Sequence, residues 1–157
     1  MRNLDDELLN LLGSTLNLIG QTEDQALYKS HFSDLSRSEM QTLYTVGPYD
    51  ALSMSETAEK LGVTVGSLSV QVDRLVKKDY LNKKKRPDDR RVNELTLTRK
   101  GKIAVRVRTK FISQLLQYIL EPLDKDEQIV LSDTLSRIEE YLDDKYAEYK
   151  NREISDE

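Results

Sequence analysis

The chain has 157 residues, with 38% hydrophobic, 33% charged and 6% aromatic residues, no Cys and a single His. That size suits one domain or two closely packed ones, and the composition excludes disulfides, thiolate metal sites, thiol nucleophiles and multi-histidine zinc or catalytic arrangements. The net charge of −4 hides an asymmetry: residues 63–110 carry 15 Lys/Arg against 5 Asp/Glu, while both flanks are acidic. A basic block of this kind points to nucleic acid. No apolar run is long enough to span a bilayer. The acidic, amphipathic start is unlike a signal peptide, so the expected location is the cytoplasm.

Leu4, Leu8, Leu11, Leu12, Leu16 and Ile19 fall on a helical stripe. Helical character continues to about Phe32, weakened by Gly20. Ser36 and Glu39 form a capping box ahead of Met40, Leu43, Tyr44 and Val46, and Gly47-Pro48 ends that helix. A second box, Ser53 with Glu56, opens a short helix that turns Ala58 and Leu61 inward and stops at Gly62. Thr64 then caps a third helix to about Lys78, with Leu68, Val72, Leu75 and Val76 as its buried stripe.

From Tyr80 the period changes. Residues 81–85 and 91–97 read as strands around the turn residues Arg86-Pro87-Asp88-Asp89-Arg90. Val92, Leu95 and Leu97 break strict alternation, which predicts a bulge or an edge strand. Thr98 caps a helix from Arg99 to about Leu120, basic first and then apolar on all sides over 111–120. Such a helix is buried all round, and a partner subunit is the simplest cover. Pro122 breaks it. After Asp124-x-x-Glu127, the residues Leu131, Leu135, Ile138, Leu142, Tyr146 and Tyr149 form a pairing seam. The tail from Asn151 is polar and expected to fray.

Three short helices followed by a hairpin with a basic tip describe a winged helix-turn-helix. The fold class is mainly α with a small β-hairpin wing. Residues 36–98 form the DNA-binding domain, 1–35 and 99–150 a helical dimerisation region, and 151–157 the tail. In this arrangement the second helix of the pair meets the major groove. Its candidate readers are Thr64, Val65, Gly66, Ser67, Ser69, Val70, Gln71 and Arg74. The wing offers Lys83, Lys84, Lys85, Arg86, Arg90 and Arg91, suited to an electronegative minor groove. Asp89 is placed to hold the Arg91 guanidinium in a fork. Gly66 inside a helix costs about 1 kcal/mol against Ala, either tolerated or required by close approach to DNA. His31 reads as an exposed helix-end histidine. No phosphate loop, nucleophile elbow or triad is present, so the chain is not expected to be an enzyme. The alternative is a winged-helix adaptor that binds protein and does not read DNA.

The run Leu52-Ser53-Met54-Ser55-Glu56-Thr57-Ala58-Glu59-Lys60-Leu61-Gly62-Val63, with Ser67 to Leu75, resembles the helix pair of the MarR family of bacterial regulators. So do Pro87-Asp88-Asp89-Arg90-Arg91 and Leu95-Thr96-Leu97-Thr98-Arg99-Lys100-Gly101. Arg86 stands where the family usually has Asp, and Asp79 where Gly is usual before the wing. The resemblance implies a homodimer on a palindromic operator, repressing transcription in response to a small ligand, with Arg91 in the minor groove. Glu39 to Leu43 and Val63 to Ser67 are similar to the branch that represses fatty-acid synthesis genes with acylated carrier protein as co-repressor. With no Cys and one His, an acyl or other apolar effector is expected rather than a metal or an oxidant, and no cofactor. Phe32, Leu35, Met40, Leu43 and Tyr44 could line its pocket or simply form core. Arg99, Lys100, Lys102, Arg106 and Arg108 are candidates for landing an acidic carrier protein.

Overall fold

Residues 3–153 are described by the computed structural model, 150–153 by backbone alone. In chain order they form α1 (Leu4–Tyr28), α2 (Arg37–Val46), β1 (Leu52–Ser53), α3 (Met54–Leu61), α4 (Val65–Lys77), β2 (Leu81–Lys85), β3 (Asn93–Leu97), α5 (Arg99–Leu120) and α6 (Lys125–Glu153). The chain divides into two units, and the division falls inside α5, between Lys110 and Phe111.

In the first unit the helix boundaries follow from side-chain chemistry. Ser36 Oγ accepts the Glu39 N–H at 3.2 Å while the Glu39 carboxylate accepts the Ser36 N–H at 2.9 Å. Ser53 and Glu56 repeat this at 3.1 and 2.8 Å. Each box satisfies two orphan donors of a helix start. Gly62, at φ 66°, closes α3 in the left-handed region. The Val63 N–H reaches back to the Ala58 carbonyl.

The end of α4 repeats that closure without a glycine. The Tyr80 N–H bonds the Leu75 carbonyl at 2.9 Å and the Asp79 N–H bonds that of Val76 at 3.0 Å. This is a Schellman turn, and Asp79 carries its left-handed position at φ 63°. The usual glycine before the wing is explained: the turn needs positive φ. Aspartate enters it at a cost of about 1 kcal/mol, and the wing entry is preserved.

The sheet order is β1-β3-β2, antiparallel throughout, so β3 is the central strand. Lys83 faces Leu95 and Leu81 faces Leu97 in register. Val92 lies outside β3, which starts at Asn93. The expected bulge or edge strand is therefore replaced by regular alternation, with Leu95 and Leu97 buried on one face. The two residues of β1 are too few to show a period, and the sequence did not reveal them.

The core runs from Phe32 and Leu35 through Leu43, Leu68, Leu75, Tyr80 and Leu95 to Ala104 and Val105. It thus draws in residues on both sides of the 36–98 segment. The start of α5 seats tightly: Thr98 Oγ1 accepts the Gly101 N–H at 3.0 Å, and any Cβ on Gly101 would collide with the Tyr80 carbonyl oxygen. α1 passes straight through Gly20 and stops at Tyr28, short of Phe32, which is buried in the following turn. Gly20 leaves room for the Arg37 guanidinium, which donates to the Gly20 carbonyl at 2.8 Å and pairs with Asp24. α1 buries none of its residues within the chain.

In the second unit, Asp124 and Glu127 make the expected reciprocal cap at 2.9 and 3.0 Å. The Gln128 amide donates to the Leu123 carbonyl at 3.0 Å. The stretch expected to be buried all round is not covered by its own chain: Ile112, Leu116, Tyr118 and Ile119 are exposed. Leu135, Ile138, Leu142, Tyr146 and Tyr149 of the α6 seam are exposed too. α6 continues through residues 151–153, and the remaining tail, 154–157, lies outside the described residues. Among the described residues no helix is long and apolar enough to cross a membrane.

Candidate nucleic-acid interface

The helix pair α3–α4 and the β2–β3 hairpin bring Val65, Ser69, Lys83, Arg86 and Arg91 around one cleft. Leu68, Val72 and Leu75 anchor α4 in the core, each fully buried. That fixes which face of α4 is free. Val65, Gly66, Val70 and Arg74 are exposed, and Ser69 is half-buried. Thr64 and Ser67 are engaged with each other: Thr64 Oγ1 accepts the Ser67 N–H at 3.1 Å, and the two hydroxyls lie 3.0 Å apart. Their first task is to cap α4. Gln71 is also less available than expected. It is half-buried, and its Nε2 is buried without a hydrogen-bond partner among the described residues.

Gly66 has no internal reason to be glycine. A Cβ there would meet only Thr64 Oγ1, at 3.9 Å. Packing inside the chain does not require it, so the choice between tolerance and close approach to DNA stays open.

The wing splits its cations into two sets. Arg86 Nε donates to Glu94 at 2.6 Å and Lys83 Nζ to Asp73 of α4 at 3.1 Å. The hydrogen bond to Glu94 holds the Arg86 guanidinium above its ordinary pKa. These two side chains brace the wing. Lys84, Lys85, Arg90 and Arg91 are exposed and make no ion pair among the described residues. Asp89 does not form the expected fork with the Arg91 guanidinium. Its Oδ1 accepts the Arg91 backbone N–H at 3.0 Å, and its carbonyl accepts the Val92 N–H. Aspartate here shapes the turn, since a short carboxylate two residues back reaches the main chain first. Between α3, α4 and the wing lies an open cleft of about 500 Å³, whose lining includes Ser55, Glu56, Val65, Ser69, Arg86 and Arg91.

Behind this face sits a polar cluster that the sequence did not disclose. Lys78 Nζ donates to the buried Glu39 carboxylate at 2.8 Å. Tyr80 OH donates to Asp34 at 2.6 Å, and Lys100 Nζ lies 4.0 Å from the centre of the Tyr80 ring. Burial works against the Glu39 charge, but the bonds from Lys78 and Ser36 outweigh it and hold its pKa below the ordinary value. Burial, then the bond to Asp34, pushes the Tyr80 hydroxyl well up. Glu39 was legible only as a cap; its second partner is 39 residues away in sequence.

The other candidates resolve differently. Phe32, Leu35, Met40 and Leu43 are buried in the closed core, and Tyr44 is exposed with the Arg108 guanidinium 4.4 Å over its ring. Of the five basic residues on α5, Lys100 is engaged with Tyr80 and Arg108 with Glu23 at 3.2 Å. Arg99, Lys102 and Arg106 remain exposed. His31 is exposed in the turn after α1.

Comparison with known proteins bears on this geometry. The MarR family pattern matches residues 35–92, the segment that builds the helix pair and the wing. The chain is similar to Streptococcus pneumoniae FabT solved in complex with DNA, with 28% identity and a TM-score of 0.81 over 88% of this chain and 96% of that one. The chain is similar to the MarR family over its helix pair and wing. Reduced MarR from E. coli is similar at 25% identity and a TM-score of 0.58, over 81% of this chain and 95% of its own. Uncharacterized HTH-type transcriptional regulators of Bacillus cereus and Bacillus thuringiensis share 26% identity over 87% of this chain and 95% of theirs. This chain is a MarR-type DNA-binding transcriptional regulator and not an enzyme.

Proposed function

We propose that this MarR-type regulator acts as a homodimeric, ligand-responsive repressor on a palindromic operator. The observation that carries the reading is an exposed α4 face beside four wing cations, Lys84, Lys85, Arg90 and Arg91, that make no ion pair among the described residues. A protein-binding adaptor has no need of them. In this reading α4 enters the major groove through Val65, Gly66, Ser69, Val70 and Arg74, and Arg91 enters the minor groove from a tip that Asp89 has shaped. Thr64 and Ser67 fix the helix start, and Lys83 and Arg86 brace the wing. The apolar faces of α1, α5 and α6 supply the dimer contacts.

Control of fatty-acid synthesis genes, with an acyl effector, is the finer reading. The resemblance to that branch and the similarity to FabT support it. Nothing in the fold adds support for an acyl-carrier partner, because two of its five candidate landing residues are engaged internally.

The test is a mobility shift with DNA from upstream of the chain's own gene, with and without long-chain acyl ligands. A retarded band that responds to the acyl chain supports the full reading. Binding without that response discards the acyl effector alone. Arg91→Ala should weaken binding by about 1–3 kcal/mol with little change in melting temperature. Unchanged affinity would remove Arg91 from the minor groove.

A further inference from the structure

The free face of α4 is apolar at its centre. At about 100° per residue, the positions opposite the buried Leu68, Val72 and Leu75 are Gly66, Val70, Asp73 and Lys77. Asp73 is paired with Lys83 of the wing. Gly66 offers no side chain. Val70 is 55% exposed and lies outside the core cluster. Of the polar side chains near it, Thr64 and Ser67 cap the helix, Gln71 is half-buried, and Arg74 stands exposed one turn further on. The helix therefore presents a branched hydrocarbon where a base-reading helix meets the bases.

The base edges in the major groove carry one apolar group, the C5-methyl of thymine. We infer that Val70 is a specificity-determining residue that packs on a thymine methyl, with the bare Gly66 one turn earlier allowing α4 to sit close enough. This rests on the reading of α4 as the groove helix. It makes the operator selective for thymine at the base under Val70 without any hydrogen bond to that base.

The experiment selects tight-binding duplexes from a random-sequence pool with the full-length protein. Each thymine of the selected site is then replaced by deoxyuridine, which removes the methyl and keeps the pairing. At least one replacement should weaken binding about fourfold, the value of one buried carbon. In Val70→Ala the same replacement should change affinity little, because the methyl has lost its contact. Val70 is exposed, so that variant should fold as the parent does. A selected site with no methyl-sensitive thymine would overturn the inference. So would a sensitivity that persists undiminished in Val70→Ala. Failure to select any duplex would overturn the groove reading, and the inference with it.

Discussion

At the scale of single residues, two glycines illustrate opposite causes. Gly101 is fixed from inside, since any side chain would strike the Tyr80 carbonyl. Gly101→Ala gains helix propensity but overpacks the junction of α5 with the wing entry, and the net loss should be about 1–3 kcal/mol. Denaturant titration would show it, and an unchanged midpoint would mean that the junction yields freely. Gly66 is fixed by nothing inside. Gly66→Ala should therefore stabilise the fold by up to about 1 kcal/mol. If DNA approaches this point closely, the same change should weaken operator binding. A melt and a binding isotherm on one variant separate the two: a gain in stability with full affinity would make Gly66 a tolerated residue and no more. Asp79 shows a third case, an identity against the local preference that the backbone absorbs at φ 63°.

At the scale of elements, what the sequence disclosed tracks the range of the interactions. The three capping boxes, the Gly62 stop and the hairpin depend on neighbours within a few residues, and all were readable. So was the amphipathic stripe Leu68, Val72, Leu75 that orients α4. β1 was missed because two residues have no period, and the Val92 irregularity misled because it belongs to the turn. The candidate site was half legible. Residue types put these cations on the hairpin, but only the fold reveals that Lys83 and Arg86 are paired while Lys84, Lys85, Arg90 and Arg91 make no ion pair among the described residues. The Glu39–Lys78 pair joins α2 to the end of α4 across a long loop of sequence and left no local trace. It makes a pH prediction. The folded-state pKa of Glu39 is lowered from the ordinary 4.5. Its stabilising contribution is therefore present above that value and is lost as pH falls through the lower, folded-state value. Melting temperature should drop below about pH 4.5 more steeply in the parent than in Glu39→Gln, although the variant starts lower at neutral pH for want of the charged pair. Parallel curves would show that Glu39 carries none of the acid sensitivity.

At the scale of the whole molecule, the chain leaves too much hydrocarbon in water to be complete alone. Leu4, Leu8, Leu11, Leu12 and Leu16 are each more than half exposed along α1, which buries no residue in its own chain. Ile138, Tyr141, Leu142 and Tyr146 are exposed along α6 as well. Covering one such side chain is worth about 1.5–3 kcal/mol. A second copy of the same chain is the cover we expect, and obligate homodimers bury roughly 2,000–5,000 Å² of such surface. The full chain should sediment at twice the chain mass without dissociating on dilution, and removal of residue 123 onward should leave the remaining apolar helices uncovered and prone to aggregate. The dimer also sets the electrolyte response on DNA. Two wings and two α4 helices neutralise twice the phosphates of one, so log K should fall steeply and linearly with log salt. Half-sites should lie about one helical turn apart, roughly 10 base pairs centre to centre. A truncated chain that stays soluble, folded and monomeric would refute the dimer. So would a footprint confined to one half of a palindrome, with the salt slope of a single wing.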